Sequence, residues 1–180
     1  MRGSTAWRIQ AKSDLEAANK LAGGLTRPND YCQVAAKTQQ AVEKSVKALQ
    51  TVLYQAGLAQ SAVDSTHQVA KVASAIRTAA SSWPKNVKSY RDWVKSVFSD
   101  SRLSTSKALD ALVPQYPKKG ELPRRNTEYP FQVTAGLQMW KAPAEVDAFS
   151  KREIEGFIKC AQELQYRINK FVEALEKIYP

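Results

Sequence analysis

Histidine is almost missing from this chain: His67 is the one imidazole in 180 residues. Nucleophilic triads and proton-shuttling hydrolases rely on an imidazole near neutral pH, so most of that chemistry has a single candidate base. His67 stands in Ser65-Thr66-His67-Gln68 at the mouth of a helical pattern and reads as a helix-start residue bonded to nearby backbone. Cysteine is nearly as scarce. Cys32 and Cys160 both fall inside helical patterns and read as buried thiols, and one histidine with two scattered cysteines leaves a zinc site without a ligand set. The opening MRGSTAWRIQ is polar and lacks the apolar core of an export signal, so a cytoplasmic chain is expected. No apolar run approaches the ~20 residues that span a bilayer, and no segment joins a strong apolar face to a basic one over enough length to lie on a membrane. Neither GxxxxGK[ST] nor GxGxxG occurs, the carboxylates are scattered, and there is no strand alternation of any length. No cofactor and no metal is expected.

What is present is positive charge, and its placement matters more than its size. The net charge is +10. Residues 84–125 hold ten basic side chains against four acidic ones (Asp92, Asp100, Asp110, Glu121), a surplus of six in less than a quarter of the chain. A basic segment this concentrated attracts polyanions. Apolar residues make up 43% of the sequence, enough for one globular domain with a full core. We take residues 1–4 (MRGS) as an expression leader and residues 5–180 as that single domain.

Helical periodicity runs through most of it. The first helix is predicted over 5–22, with Thr5 as N-cap, a stripe of Trp7, Ala11, Leu15, Ala18 and Ala22, and Gly23-Gly24 as a left-handed stop. The second, over 31–57, carries Tyr31, Val34, Ala35, Ala41, Val42, Val46, Leu49 and Leu53 on a broad inward face. It has small or apolar residues on more than one side, the mark of a helix surrounded by others, and Gly57 ends it. The third follows a cap at Asp64-Ser65-Thr66 and closes at Trp83-Pro84, because proline disfavours α geometry in the residue before it. A fourth amphipathic segment spans 85–98 and a shorter one 103–113. The last helix is predicted to open at Pro143 or Ala144, with a stripe from Val146 to Ile178. The expected fold is all-α: an up-and-down bundle of about five helices with a long loop before the last helix.

That loop, residues 114–143, holds five of the eight prolines and two glycines and cannot be one regular element. Within it Arg124-Arg125-Asn126-Thr127-Glu128-Tyr129-Pro130-Phe131 gathers two guanidinium groups, an amide, a hydroxyl and aromatic rings. Guanidinium groups take phosphate in bidentate fashion and an aromatic ring can stack on a base. The candidate phosphate-binding residues are Arg124, Arg125 and Asn126, with Tyr129 positioning them or stacking, and Lys118 and Lys119 adding long-range attraction. The competing reading is a loop that packs Tyr129-Pro130 on the bundle and leaves its arginines solvated.

Several stretches, taken in order, resemble one known family. They are WRIQAKSDLEAANKL (7–21), CQVAAKTQQAVEKSVKAL (32–49), Thr66-His67-Gln68-Val69, Glu128-Tyr129-Pro130-Phe131, and the last helix behind Ala142-Pro143-Ala144-Glu145. Together they resemble the HEPN domain, named for higher eukaryotes and prokaryotes and for nucleotide binding. The resemblance spans essentially the whole chain, and the second helix is its most specific part. It implies a bundle of four or five helices, often a homodimer, and a nucleotidyltransferase-type partner in some members. Many members are metal-independent ribonucleases, some of them toxins, that use an Arg-x(4–6)-His motif. This chain departs from that pattern: from Arg124 or Arg125 the histidine position falls on Tyr129, Pro130, Phe131 or Gln132. Glu128 stands where the family often has arginine, and Phe131 where it has aspartate. The expectation is a domain that binds nucleotide or RNA phosphate without catalysis. An atypical ribonuclease and a structural dimerisation or adaptor module are the alternatives.

Overall fold

A computed structural model describes residues 3–24, 31–59, 69–84, 87–99, 131–132, 140–141 and 149–179. The packing is built on α2 (Tyr31–Gln55), which buries 17 of its 25 residues. Val34, Ala35, Leu49 and Leu53 have no measurable exposure, and the inward face expected from the sequence is buried apart from the half-buried Tyr31. Hydroxyls on this helix turn back onto their own backbone: Thr38 donates to the Val34 carbonyl and Ser45 to that of Ala41. Polar side chains can therefore sit in the core without lacking a partner.

Gly57 stops α2, as its position predicts. It adopts φ +69°, the left-handed region that glycine enters without a Cβ penalty. Its N–H donates to the Tyr54 carbonyl, and the Leu58 N–H reaches back to that of Leu53, the bond pair of a Schellman end with Leu58 buried beneath it.

The first helix, α1 (Gly3–Gly24), starts earlier than expected and ends at the Gly23-Gly24 pair, without the left-handed geometry. It is already helical at Gly3, so Thr5 is inside the helix and is not its cap. Ser4, set aside with the leader, is fully buried, and its hydroxyl donates to Glu176 Oε1 at 2.6 Å. Gly23 and Gly24 are helical; among the described residues only Gly57 has a positive φ.

The last helix, α5 (Lys151–Ile178), also starts elsewhere than expected. Ser150 is extended, at φ −82° and ψ 154°, and closes a capping box: its hydroxyl accepts the Glu153 N–H while the Glu153 carboxylate accepts the Ser150 N–H. Two orphan donors are satisfied at once, which sets the start at Lys151 rather than near Pro143.

Contacts fix the relative directions. Ser4 meets Glu176, Arg8 meets Glu173, and Asn19 meets Gln162, so α1 and α5 are antiparallel. Gly3 lies against Thr51, and Asp14 bonds Lys44 and Lys37, so α1 and α2 are antiparallel too. α2 and α5 thus pack side by side in parallel.

The remaining described elements close one side. α3 (Val69–Ala79) runs into a 3₁₀ turn, Ala80–Ser82, and ends at Trp83, which is extended (ψ 147°) before Pro84 as anticipated. The Trp83 indole donates to the Leu58 carbonyl at 2.9 Å and ties this end to the Gly57 turn. α4 (Lys88–Val97) buries Val94 and Val97, flanked by the buried Val87 and Phe98. Trp93 stacks on Phe171 of α5, ring centroids 4.0 Å apart at 18°, and Tyr90 meets the same ring at 5.4 Å. The caps read at Asn29-Asp30 and Asp64-Ser65-Thr66, and the short helix over 103–113, lie outside the described residues. One feature was not anticipated: Phe131–Gln132 (β1) and Trp140–Lys141 (β2) form a two-residue antiparallel ladder, with Phe131 opposite Lys141 and Gln132 opposite Trp140. Two residues are too few to show a period-2 pattern. The five described helices make the fold all-α, as expected.

Two glycine substitutions separate backbone from packing effects. Nothing lies within 4 Å of a Cβ added at Gly57 or Gly156. Gly57→Ala should still lose about 1 kcal/mol, because alanine is strained at positive φ. Gly156→Ala, inside α5, should gain about 0.5–1 kcal/mol. Urea denaturation followed by circular dichroism measures both, and shifts of the same sign would contradict the assignment.

Candidate functional site

The described helices differ in where their carboxylates lie. α1, α2 and α5 together carry twelve basic and eight acidic residues. All eight carboxylates are engaged. Asp14, with its side chain only 4% exposed, holds Lys44 at 2.6 Å and Lys37 at 3.3 Å. Glu43 holds Lys47 at 2.6 Å and accepts from Gln39 at 3.4 Å, while the Lys47 ammonium lies 5.2 Å from the Trp7 ring centre. Glu173 and Glu176 share Arg8, which also donates to Asn169. Glu16, Glu155 and Glu163 pair with Lys12, Lys151 and Arg167 one turn away, and Glu153 caps its own helix. Gln39, Gln40, Glu43 and Lys44, part of the most distinctive stretch of the sequence, thus serve the seam between α1 and α2. Their job is architectural.

α3 and α4 are different. They carry five basic residues (Lys71, Arg77, Lys88, Arg91, Lys95) against one acidic residue, Asp92. Arg77 reaches from α3 to the end of α4, where Nη1 donates to the Phe98 carbonyl at 3.4 Å. Arg91 has a buried Nε with no hydrogen-bond partner, and Lys95 and Lys71 are exposed. At 3.6 residues per turn, Arg91 and Lys95 each stand about 200° around α4 from Trp93. The ring stack on Phe171 therefore pins one flank of α4 to α5 and turns the basic flank away from it.

The candidate residues Lys118, Lys119, Arg124, Arg125, Asn126 and Tyr129 lie outside the described residues, as does His67. The described part of their loop is the ladder that begins at Phe131, two positions after Tyr129. No cluster of three or more His, Cys, Asp or Glu side chains that could hold a metal ion occurs among the described residues, and no described helix is long and apolar enough to cross a membrane. Sequence reasoning did not show that all eight carboxylates of α1, α2 and α5 are engaged, in part because partners such as Arg8 and Glu173 lie more than a hundred residues apart.

The structural role of the α1–α2 seam is open to direct test. Asp14→Ala should destabilise the protein by about 2 kcal/mol. That is less than the 3–5 kcal/mol of a fully buried pair, because both ammonium groups can regain water. Lys37→Ala, whose side chain is 39% exposed, should cost under about 1 kcal/mol. Thermal or urea unfolding of the two variants provides the comparison; equal losses would show that Asp14 does not organise the pair.

Among known families, the model of the HEPN domain matches residues 4–171. No curated protein and no solved structure matches the chain.

Proposed function

The chain belongs to the HEPN domain family, and on that premise we propose that it is a non-catalytic module that binds the phosphate of a nucleotide or of RNA. Arg124, Arg125 and Asn126 make the phosphate contacts. Tyr129 positions them or stacks on a base, and Lys118 and Lys119 draw the ligand in. The observation that carries this reading is the charge separation. The carboxylates of α1, α2 and α5 are all engaged within the scaffold, whereas residues 84–125 carry a surplus of six positive charges. Such a surplus is neutralised by an outside polyanion.

Turnover is not part of the proposal. No histidine follows His67, and an arginine, protonated at all accessible pH, cannot take up a proton as a general base. Family membership also supports a homodimer, a cytoplasmic setting and a nucleotidyltransferase-type partner as parts of the same reading.

Fluorescent ATP and GTP analogues and a labelled single-stranded RNA should be titrated at low and at physiological salt. Binding is expected at low salt, and Arg124→Ala/Arg125→Ala should weaken it at least tenfold, about 1.4 kcal/mol. Unchanged affinity in the double variant would refute the assignment of these residues. RNA cleavage in the presence of EDTA would replace the proposal with the ribonuclease alternative.

A further inference from the structure

We infer that the outer groove between α1 and α5 is a docking surface for an acidic amphipathic helix of a partner protein. The surface lies wholly on described residues. It stands apart from the phosphate reading, since no residue of the late loop enters it.

The two most exposed large apolar side chains among the described residues are Tyr166 (65%) and Ile9 (56%). Both border this groove. On α5, Tyr166 falls between Gln162 and Asn169, which bond Asn19 and Arg8 of α1. On α1, Ile9 follows Arg8, which holds both Asn169 and Glu173. At 3.6 residues per turn, Ile9 stands about 100° from Arg8 and about 140° from Asp14, which faces α2. It therefore lies on the outer surface of α1, nearer to α5, and within about one turn of the level of Tyr166.

A row of cations edges the groove. Arg152, Lys159, Lys170 and Lys177 are exposed, and steps of 7, 11 and 7 residues keep them within about 20° of one line along α5. Tyr166 stands between that line and α1, with the Lys170 ammonium 5.9 Å from its ring centre. The carboxylates beside the line are taken by cations off it: Glu155 by Lys151, Glu163 by Arg167 and Glu173 by Arg8. The four cations of the line make no ion pair. A single unpaired lysine says little, because water satisfies it. Here four share a line beside exposed apolar surface, on a helix whose other side is anchored by the buried Leu164, Ile168 and Leu175.

These features together select the occupant. The Ile9 side chain offers nothing to a phosphate or a base edge, and is drawn out of water only by apolar surface. Nucleic acid carries a phosphate every few Å along each strand, about 3.4 Å in B-DNA, whereas seven residues of helix separate cations by about 10 Å. Seven residues is also the step at which a second helix returns to the same side. A second copy of the chain would bring no countercharge to the line. A helix with an apolar stripe along Ile9 and Tyr166 and carboxylates along one edge meets all of these demands, as in groove docking of amphipathic helices.

The test uses a synthetic helical peptide of about 25 residues with a leucine stripe and glutamates along one edge. Its controls are a scrambled peptide of the same composition, a peptide with lysine in place of each glutamate, and a labelled single-stranded RNA. The intact chain should bind the patterned peptide at low salt, about tenfold or more tighter than the scrambled one. Ile9→Ser/Tyr166→Ser and Lys159→Glu/Lys170→Glu should each weaken binding by about tenfold, and Lys20→Glu/Lys71→Glu, which alters unpaired cations elsewhere, should not. The lysine peptide should recover affinity for Lys159→Glu/Lys170→Glu. In the intact chain, whatever the stability of the variants, the peptide should shift the amide resonances of residues 8–12 and 159–170. No binding at low salt, equal binding of the scrambled peptide, equal losses in the Lys20/Lys71 variant, or amide shifts confined to other helices would overturn the assignment. If RNA competes with the peptide and loses as much affinity in the Lys159/Lys170 variant, the groove belongs to nucleic acid and the assignment fails. If light scattering shows a dimer that Ile9→Ser/Tyr166→Ser converts to monomer, the occupant is a second copy and the assignment fails likewise. Loss of nucleotide binding in Arg124→Ala/Arg125→Ala has no bearing on any of these outcomes, so the two proposals stand or fall separately.

Discussion

Burial of α2 on nearly all sides is the constraint from which the rest follows. A helix with Leu49, Leu53 and Val34 fully enclosed needs neighbours around most of its circumference, and its own polar residues must then be satisfied inside the bundle. Thr38 and Ser45 solve this locally by bonding backward. Glu43 and Lys47 solve it as an intrahelical pair one turn apart, with Trp7 over the ammonium. Lys37 and Lys44 solve it through Asp14 of α1. The direction of α1 is set by these bonds, and α5 is then placed by the Arg8 and Ser4 bonds to Glu173 and Glu176. Asp14, Glu173 and Glu176 are thus committed to holding the bundle together, and the other carboxylates of these helices pair or cap within their own helix. Little negative charge is left to answer the basic residues of α3 and α4.

Features that depend on local rules were readable in the sequence. The stop at Gly57, the end of α3 before Pro84 and the inward face of α2 each rest on a few adjacent residues. Some local signals were present but outweighed. Ser150-x-x-Glu153 has the spacing of a capping box, yet the apolar stripe continues upstream through Phe149 and Val146, and periodicity alone draws the helix start too early. Gly23-Gly24 does mark the end of α1, but glycine permits left-handed geometry without requiring it, and neither residue adopts it.

Features that depend on distant partners were not readable. Asp14 looks like an exposed helix residue, because the two lysines that draw it inward sit 23 and 30 positions away. Ser4 looks like part of a leader, because its partner Glu176 is 172 positions away. The candidate site shows the same division. The basic surplus of residues 84–125 is a matter of counting. Which of its members face outward, and which flank of α4 they occupy, follows from the Trp93–Phe171 stack, a contact between α4 and a helix beginning more than fifty residues later.

The same distribution bears on the proposal that the chain binds phosphate. Guanidinium and ammonium groups stabilise phosphate in every charge state it has near neutral pH, and arginine in particular stays protonated throughout. They can hold a strand and screen its charge, but cleaving it also requires a group that gives and takes a proton. The carboxylates of α1, α2 and α5 are paired with lysines and arginines or, at Glu153, cap their own helix. The acidic residue of α4, Asp92, is exposed. Among the described residues, then, eight of the nine helical carboxylates belong to α1, α2 and α5 and are spent on ion pairs and a helix cap, while α3 and α4 carry five basic residues and one acidic residue.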